Sequence, residues 1–246
     1  MNENPAWRTS GTYPTYERAR AVYEPAFRTA FEYLYSNGLA GGAIAEFGVY
    51  RGFTAVLIAE LITEFQALST WYPMEITPKL FLFDSFAGFP KCDNPVDMGC
   101  YEIRDRNEWR EGMECSPEET LGELEAYLQT CLPADSFEIC PGFFAAVLES
   151  KPIAAKLWLL HLDCDLYSST RTVLDYVLQQ DLLQDGTIIM ADDYNCNRAN
   201  PQQGQRRALQ EAFDHGGSAY SISTFFSYGW HGRAFFVHAG ASRTLT

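Results

Sequence analysis

Five short apolar runs, each closing on or beside an acid or a glycine, constrain this chain more than any other feature. Ala43 to Phe47 contains Glu46 and leads into Gly48, and Leu80 to Phe83 leads into Asp84. Phe137 to Cys140 leads into Pro141 and Gly142, Leu157 to Leu162 into Asp163, and Thr187 to Ala191 into Asp192. Runs this short and this apolar read as strands covered on both faces, which is the pattern of a parallel sheet. Parallel neighbours need crossover connections, and segments of helical periodicity lie between the runs. The expected architecture is α/β, a mostly parallel sheet with helices on both faces. Two later runs, 222–226 and 234–237, read as a closing pair of strands.

The helical segments carry their own start and stop signals. The first is expected from Pro25, with Phe27, Ala30, Phe31 and Leu34 on one face, ending at Ser36-Asn37-Gly38. Ser116 and Glu119 have capping-box spacing ahead of Leu121, Leu124 and Leu128. Ser168 or Ser169 can cap a helix carrying Val173, Leu174 and Val177, and Asn200-Pro201 can open another that Gly216-Gly217 ends. Residues 1 to about 20 read as a polar arm. The chain thus divides into an arm and helix, 1–40, and one domain, 41–246, with an insertion at about 91–120 that serves as lid or acceptor wall.

Charge narrows the partners. The 246 residues carry a formal net charge of −14, with 32 acidic and 18 basic side chains. Such a surface repels phosphate backbones and anionic lipid heads, so nucleic acid and membranes are poor partners. No apolar run approaches the ~18 residues of a membrane span. The seven cysteines form no C-x-x-C pair, and no cationic-then-apolar leader opens the chain. Free thiols in a reducing, cytoplasmic setting are the expectation.

In open α/β sheets ligands bind beyond the carboxyl ends of the strands, where these acids stand. Glu46-Phe47-Gly48-Val49-Tyr50-Arg51-Gly52 delivers an acid and then glycines that let backbone approach a ligand, although an ordinary turn has the same look. Asp84 can accept from ribose hydroxyls; it stands farther from the first strand than in a minimal nucleotide-binding unit, which an insertion around residues 69–78 accounts for. Asp163 and Asp165 flank one residue past the fourth run, and Asp192 and Asp193 end the fifth. Four carboxylates converging there repel unless a cation or protons intervene, and oxygen ligands suit magnesium. One of the pair can instead stay free as a general base. The plainer alternative is that Asp165 caps the next helix and Asp192 is a turn residue. His161, inside an apolar run, reads as a packed core histidine, and His215, His231 and His238 are too isolated to use. The aromatic stretch 220–230 reads as core, with part of it able to wall an acceptor pocket.

These clusters, in this order, resemble the macrocin-type O-methyltransferases, a branch of the class I S-adenosylmethionine-dependent methyltransferases. The matching stretches are E-F-G-V-Y-R-G at 46–52, F-D-S-F-A-G-F-P at 83–90, L-D-C-D-L-Y-S-S-T at 162–170, A-D-D-Y-N at 191–195 and P-Q-Q-G-Q-R-R-A-L-Q-E-A-F at 201–213. The resemblance implies a Rossmann-like sheet of seven strands with S-adenosylmethionine across its first strand ends. It puts Glu46, Gly48 and Tyr50 at the methionine end, Asp84 and Ser85 at the ribose, and Gly142 and Phe143 near the adenine. Asp163 would lie beside the cofactor and, with Asp192 and Asp193, bind Mg2+, while Asp165 would be the catalytic base. The implied acceptor is a sugar hydroxyl of a glycosylated natural product, and the implied assembly a homo-oligomer, dimer or larger. A catechol-like diol is an alternative acceptor. A metal-dependent glycosyltransferase using a nucleotide sugar is the rival activity, though it predicts neither the acid-glycine opening nor the second Asp-Asp pair. A D-x-D phosphatase would want that motif on the first strand. The chain departs from the family pattern at Phe53 and at 144–148.

Overall fold

The computed structural model describes residues 13, 15–39, 42–68, 78–213 and 219–240. Seven strands form one sheet: β1 (Ala43–Phe47), β2 (Lys79–Asp84), β3 (Phe137–Pro141), β4 (Leu157–Leu162), β5 (Ile188–Ala191), β6 (Tyr220–Tyr228) and β7 (Gly232–Ala239). Their spatial order is β3-β2-β1-β4-β5-β7-β6. The first five are parallel, and β7 runs antiparallel to both β5 and β6. The order reverses at β1, which pairs with β2 on one side and β4 on the other, and this is the switch point where such sheets bind ligands.

Among the described residues eight α-helices connect or cover the strands: α1 (Tyr16–Asn37), α2 (Phe53–Ala67), α3 (Pro95–Met98), α4 (Tyr101–Arg104), α5 (Thr120–Cys131), α6 (Phe144–Ser150), α7 (Tyr167–Gln179) and α8 (Gly204–Phe213). Side chains alternate across each strand, so the sheet has two buried faces. One carries Ile44, Leu80, Leu82, Leu159, Ile188 and Met190 against α1, α2 and α5. The other carries Ala45, Phe47, Phe83, Leu160, Leu162 and Ile189 against α6, α7 and α8.

The five apolar runs are the five parallel strands, within a residue at each end. The helix starts differ from the sequence reading. α1 begins at Tyr16, not Pro25, so the expected arm is helical from that point. Thr15 accepts from the Arg18 N–H, and Ala19 and Tyr23 extend the buried stripe backwards, which together outweigh the missing donor of Pro25. Ser116 does not cap α5; its hydroxyl donates to the Tyr50 carbonyl at 2.6 Å and ties the insertion to the loop after β1. Neither Ser168 nor Ser169 caps α7. Asp97 of α3 does so from across the chain, accepting from the N–H groups of Tyr167 and Ser168 at 2.7 and 3.2 Å. The sequence signals at 69–77 and at Gly216-Gly217 lie outside the described residues.

Backbone hydrogen bonds run on past the strand ends. Gly142 N–H donates to Asp84 C=O, Gly48 to Phe83, Asp163 to Phe47 and Asp192 to Leu162, at 2.8–2.9 Å. Each residue at the edge is therefore fixed by the strand beside it. Gly48 has φ +94°, and a Cβ there would lie 1.7 Å from the Asp163 carbonyl oxygen. Gly48→Ala is expected to cost more than about 2 kcal/mol, since left-handed backbone and a clash with fixed backbone add together. A urea unfolding midpoint unchanged from the parent would contradict this.

Candidate active site

A cavity of about 590 Å³ opens at the carboxyl edge of β1, β2, β4 and β5, a volume within the usual range for small-molecule sites. Gly48, Tyr50, Asp84, Ser85, Phe143, Asp163, Asp165, Asp192 and Asp193 line it; Gly142, the residue before Phe143, does not. Glu46 does not line it. That side chain is fully buried beneath the floor, where Thr54 donates to it and His161 Nδ1 lies 2.9 Å from its Oε1.

On the β1 side Asp84 organises the loop. Its Oδ2 accepts from the Val49 and Tyr50 N–H groups at 2.7 Å each, and its Oδ1 from Phe86 N–H at 2.6 Å. A carboxylate offers about four acceptor directions, so roughly one remains for a ligand hydroxyl. Ser85 turns back on its own loop, donating to Gly88 C=O at 2.7 Å. Phe143 is 46% exposed, a bare ring at the rim.

The β4 and β5 side gathers acids. Asp163, Asp192 and Asp193 each present an oxygen within 4.8 Å of the others. Asp165 stands at φ +57° in a tight turn closed by Leu166 N–H on Cys164 C=O. Its own N–H donates to Asp193 Oδ2 at 2.8 Å. Asp193 is fixed from behind by Gln205, which accepts from its N–H and donates to Leu162 C=O. Burial, then repulsion from Asp192 and Asp193, holds the Asp163 carboxyl well above the usual range. Burial and Asp193 do the same to Asp165. Burial and Asp192 push Asp193 up to about 7. Asp192 goes the other way: burial would raise it, but His161 and His231 outweigh that and hold it low.

The support around Asp192 was not legible as function in the sequence. His231 Nδ1 lies 2.9 Å from its carbonyl oxygen and 3.3 Å from its Oδ2, and the Tyr23 hydroxyl donates to Oδ2 at 2.9 Å. Burial, then the Asp192 charge, pushes the Tyr23 phenol well up, so it stays a donor at neutral pH. Tyr23 comes from α1 and His231 from the turn between β6 and β7, and no spacing in the sequence links either to β5. Asp192 Oδ1 is buried with no hydrogen-bond partner. Three carboxylates, one with a bare oxygen, are the donor set a hard divalent cation needs. All seven cysteines are free; Cys196 Sγ donates to Asp193 Oδ1 at 3.7 Å, and Cys164 is buried with its Sγ toward Phe47 C=O.

The insertion forms the opposite wall. Phe89, Lys91, Glu102, Arg106, Glu108, Trp109 and Glu114 reach the cavity from it. It is anchored at Asn197, whose side-chain oxygen accepts from Glu102 N–H at 3.2 Å. Asn197, Arg198 and Ala199 form a left-handed turn with φ of 54, 58 and 53°. From the other side comes Trp230, 60% exposed and next to His231. Asn195 N–H donates to His231 C=O and its side chain to Trp230 C=O, so the loop carrying Asp192 and Asp193 grips this turn. No helix among the described residues is long and apolar enough to cross a membrane.

Solved structures share this fold. That of the O-methyltransferase NovP is 21% identical, superposes with a TM-score of 0.63, and covers 87% of this chain and 78% of its own. The calicheamicin methyltransferase CalS11 is 23% identical, with a TM-score of 0.62 and coverage of 86% and 79%. TomG of Streptomyces achromogenes, an O-methyltransferase of tomaymycin synthesis solved with S-adenosylmethionine, is 14% identical, with a TM-score of 0.53 and coverage of 88% and 80%. At these identities the likeness carries the class I methyltransferase fold alone. No curated protein sequence matches. The profile of the Macrocin-O-methyltransferase (TylF) family matches residues 24–214. The glycosyltransferase alternative falls away, and this chain belongs to the macrocin-O-methyltransferase family and is an O-methyltransferase.

Proposed function

We propose that this protein transfers the methyl group of S-adenosylmethionine to a hydroxyl of a glycosylated natural product, with a divalent cation, magnesium by preference, at Asp163, Asp192 and Asp193. The observation that carries the reading is the convergence of those three carboxylates, one with a bare buried oxygen, on the wall of the cavity that the glycine loop also lines. When bound, the sulfonium cofactor supplies an activated methyl group and the cation supplies Lewis acidity toward the acceptor oxygens.

The chain's own residues do the rest. Gly48 and Tyr50 line the cavity where the cofactor's methionine end would lie, and Asp84 keeps an acceptor direction toward a ribose hydroxyl. Phe143 offers a ring face to the adenine. Asp165 takes the proton of the attacking hydroxyl. Its environment suits that task, since burial and the neighbouring acids make it a stronger base than an exposed aspartate. The insertion closes the cavity over the acceptor and limits water, and alignment of attacker, methyl and leaving sulfur is the main catalytic contribution. Trp230 presents an apolar face beside the cation site, which favours stacking on a sugar ring or an aromatic aglycone. The solved relative CalS11, a TDP-rhamnose 3'-O-methyltransferase of calicheamicin biosynthesis, supports this acceptor class.

Calorimetry tests the assignment. Wild type is expected to bind S-adenosylmethionine, and Asp192→Ala to lose the magnesium signal. Asp165→Asn is expected to keep both ligands while kcat falls about 10²–10⁴-fold, the usual share of a general base. A variant that keeps its kcat would remove Asp165 from that role. With an aryl glycoside acceptor, Trp230→Ala is expected to raise KM about fivefold with little change in kcat, from the loss of roughly 1 kcal/mol of stacking. Equal effects on kcat and KM would instead point to a disturbed cation site.

The acids also set a pH dependence. Asp193 titrates near 7 in the fold, above the ~3.9 of an unfolded chain. The folded form therefore holds the extra proton between those values. Its stabilising contribution is full below the unfolded value and is lost as pH rises through about 7. In EDTA, Asp193→Asn is expected to melt about 4 °C above wild type at pH 8, with the difference shrinking toward pH 5. A difference that is the same at both pH values would show that the cluster's repulsion does not govern stability.

A further inference from the structure

An ionisable row runs through the core where apolar side chains would be cheaper. Glu46 and His161 are both 0% exposed. They are register partners on β1 and β4, and His161 pairs in turn with Met190 on β5. Asp192 follows Met190 by two residues, so the strand period puts all three side chains on one face of the sheet. The contacts agree with the register. Thr54 Oγ1 donates to Glu46 Oε1, and the same oxygen lies 2.9 Å from His161 Nδ1. A carboxylate only accepts, so Nδ1 carries the proton. The other ring nitrogen, Nε2, faces Asp192 Oδ1 at 3.9 Å, and neither atom has a hydrogen-bond partner. Phe27 packs edge-on against the imidazole and keeps the ring in place.

The 3.9 Å gap carries the argument. It exceeds a hydrogen bond by about 1 Å, so His161 does not occupy the Asp192 oxygen. It stands off from that oxygen, whose lone pairs stay without a hydrogen-bond partner. Tyr23 and His231 meanwhile hold Oδ2. Asp192 thus has one oxygen committed to the protein and one unpaired. A buried carboxylate and imidazole are costlier than apolar side chains of similar volume, and a purely structural row would not need them.

We propose that Glu46 and His161 are positioning residues for the Asp192 carboxylate, and that Glu46 serves the cation side of the cavity and not the cofactor. The inference rests on the cation site proposed above. Thr54 belongs to α2, which begins directly after the loop lining the cofactor side, so the row joins that helix to the cation ligand. Partners that orient metal-binding carboxylates and imidazoles typically change metal affinity about 10–100-fold when altered.

The test measures two affinities separately in wild type, Glu46→Gln and His161→Asn. Manganese(II) is the cation probe, followed by its free-ion paramagnetic resonance signal, and S-adenosylmethionine is titrated by calorimetry. Both variants are expected to weaken manganese binding about 10–100-fold while S-adenosylmethionine affinity stays within about twofold. His161→Asn keeps a donor toward Glu46 and removes the nitrogen facing Asp192, so it isolates the second contact. If either variant fails to fold, Thr54→Val keeps the side-chain shape and is expected to weaken manganese severalfold with the same split. Loss of S-adenosylmethionine affinity with manganese unchanged would make Glu46 a cofactor contact and overturn the proposal. No change in either affinity would reduce the row to packing. A wild type that binds S-adenosylmethionine but no manganese would remove the cation site itself, a result separate from any effect of the variants.

Discussion

Four backbone hydrogen bonds that continue the sheet beyond its strands hold the cavity in shape. Gly142, Gly48, Asp163 and Asp192 each hang from the carbonyl of the neighbouring strand. Loops at a sheet edge ordinarily move more than the strands they leave. Here the first residue of each loop is still part of the ladder, and the acids at β4 and β5 inherit the precision of the core. The approach of Gly48 to Asp163 links the two halves most closely, because β1 and β4 are adjacent there and only a hydrogen atom fits between them.

That precision has an electrostatic cost. Asp163, Asp165 and Asp193 are pushed toward the neutral form while Asp192 is held ionised by two histidines. Neighbouring groups with opposed titration behaviour are the mark of a working site more than of a stabilising one. The fold accepts the repulsion through a large apolar core on both faces of the sheet, and it surrounds Asp192 with side chains from α1, β4 and the turn between β6 and β7. Residues distant in sequence are committed to one carboxylate.

The strands and the acids at their ends were legible because a parallel strand is a short apolar run and its functional edge is polar. The aspartates at 163, 165, 192 and 193 could be read from position alone. Glu46 was read at the methionine end of the cofactor, but period-two alternation turns its side chain away from the cavity and toward His161. His161 itself read as a packed core residue, and it is packed; what the sequence could not show was that its second nitrogen faces Asp192. Tyr23, His231 and Gln205 were missed because each arrives from a different element. The helix starts at Ser116 and Ser168 were misread for a related reason. Local capping patterns compete with tertiary partners, and Asp97 reaches α7 from a lid helix no local rule connects to it. Nothing marks Asn197, Arg198 and Ala199 as left-handed either, since none is a glycine.

The Asp97 contact has a mechanical meaning. Both oxygens of this buried carboxylate are spent on the first two N–H groups of α7, and α7 starts two residues after Asp165. The insertion therefore cannot lift from the body at that point without stripping the cap from the helix that follows the proposed base. Displacement of α3 and loosening of the first turn of α7, two residues beyond Asp165, are then tied together by the same two hydrogen bonds.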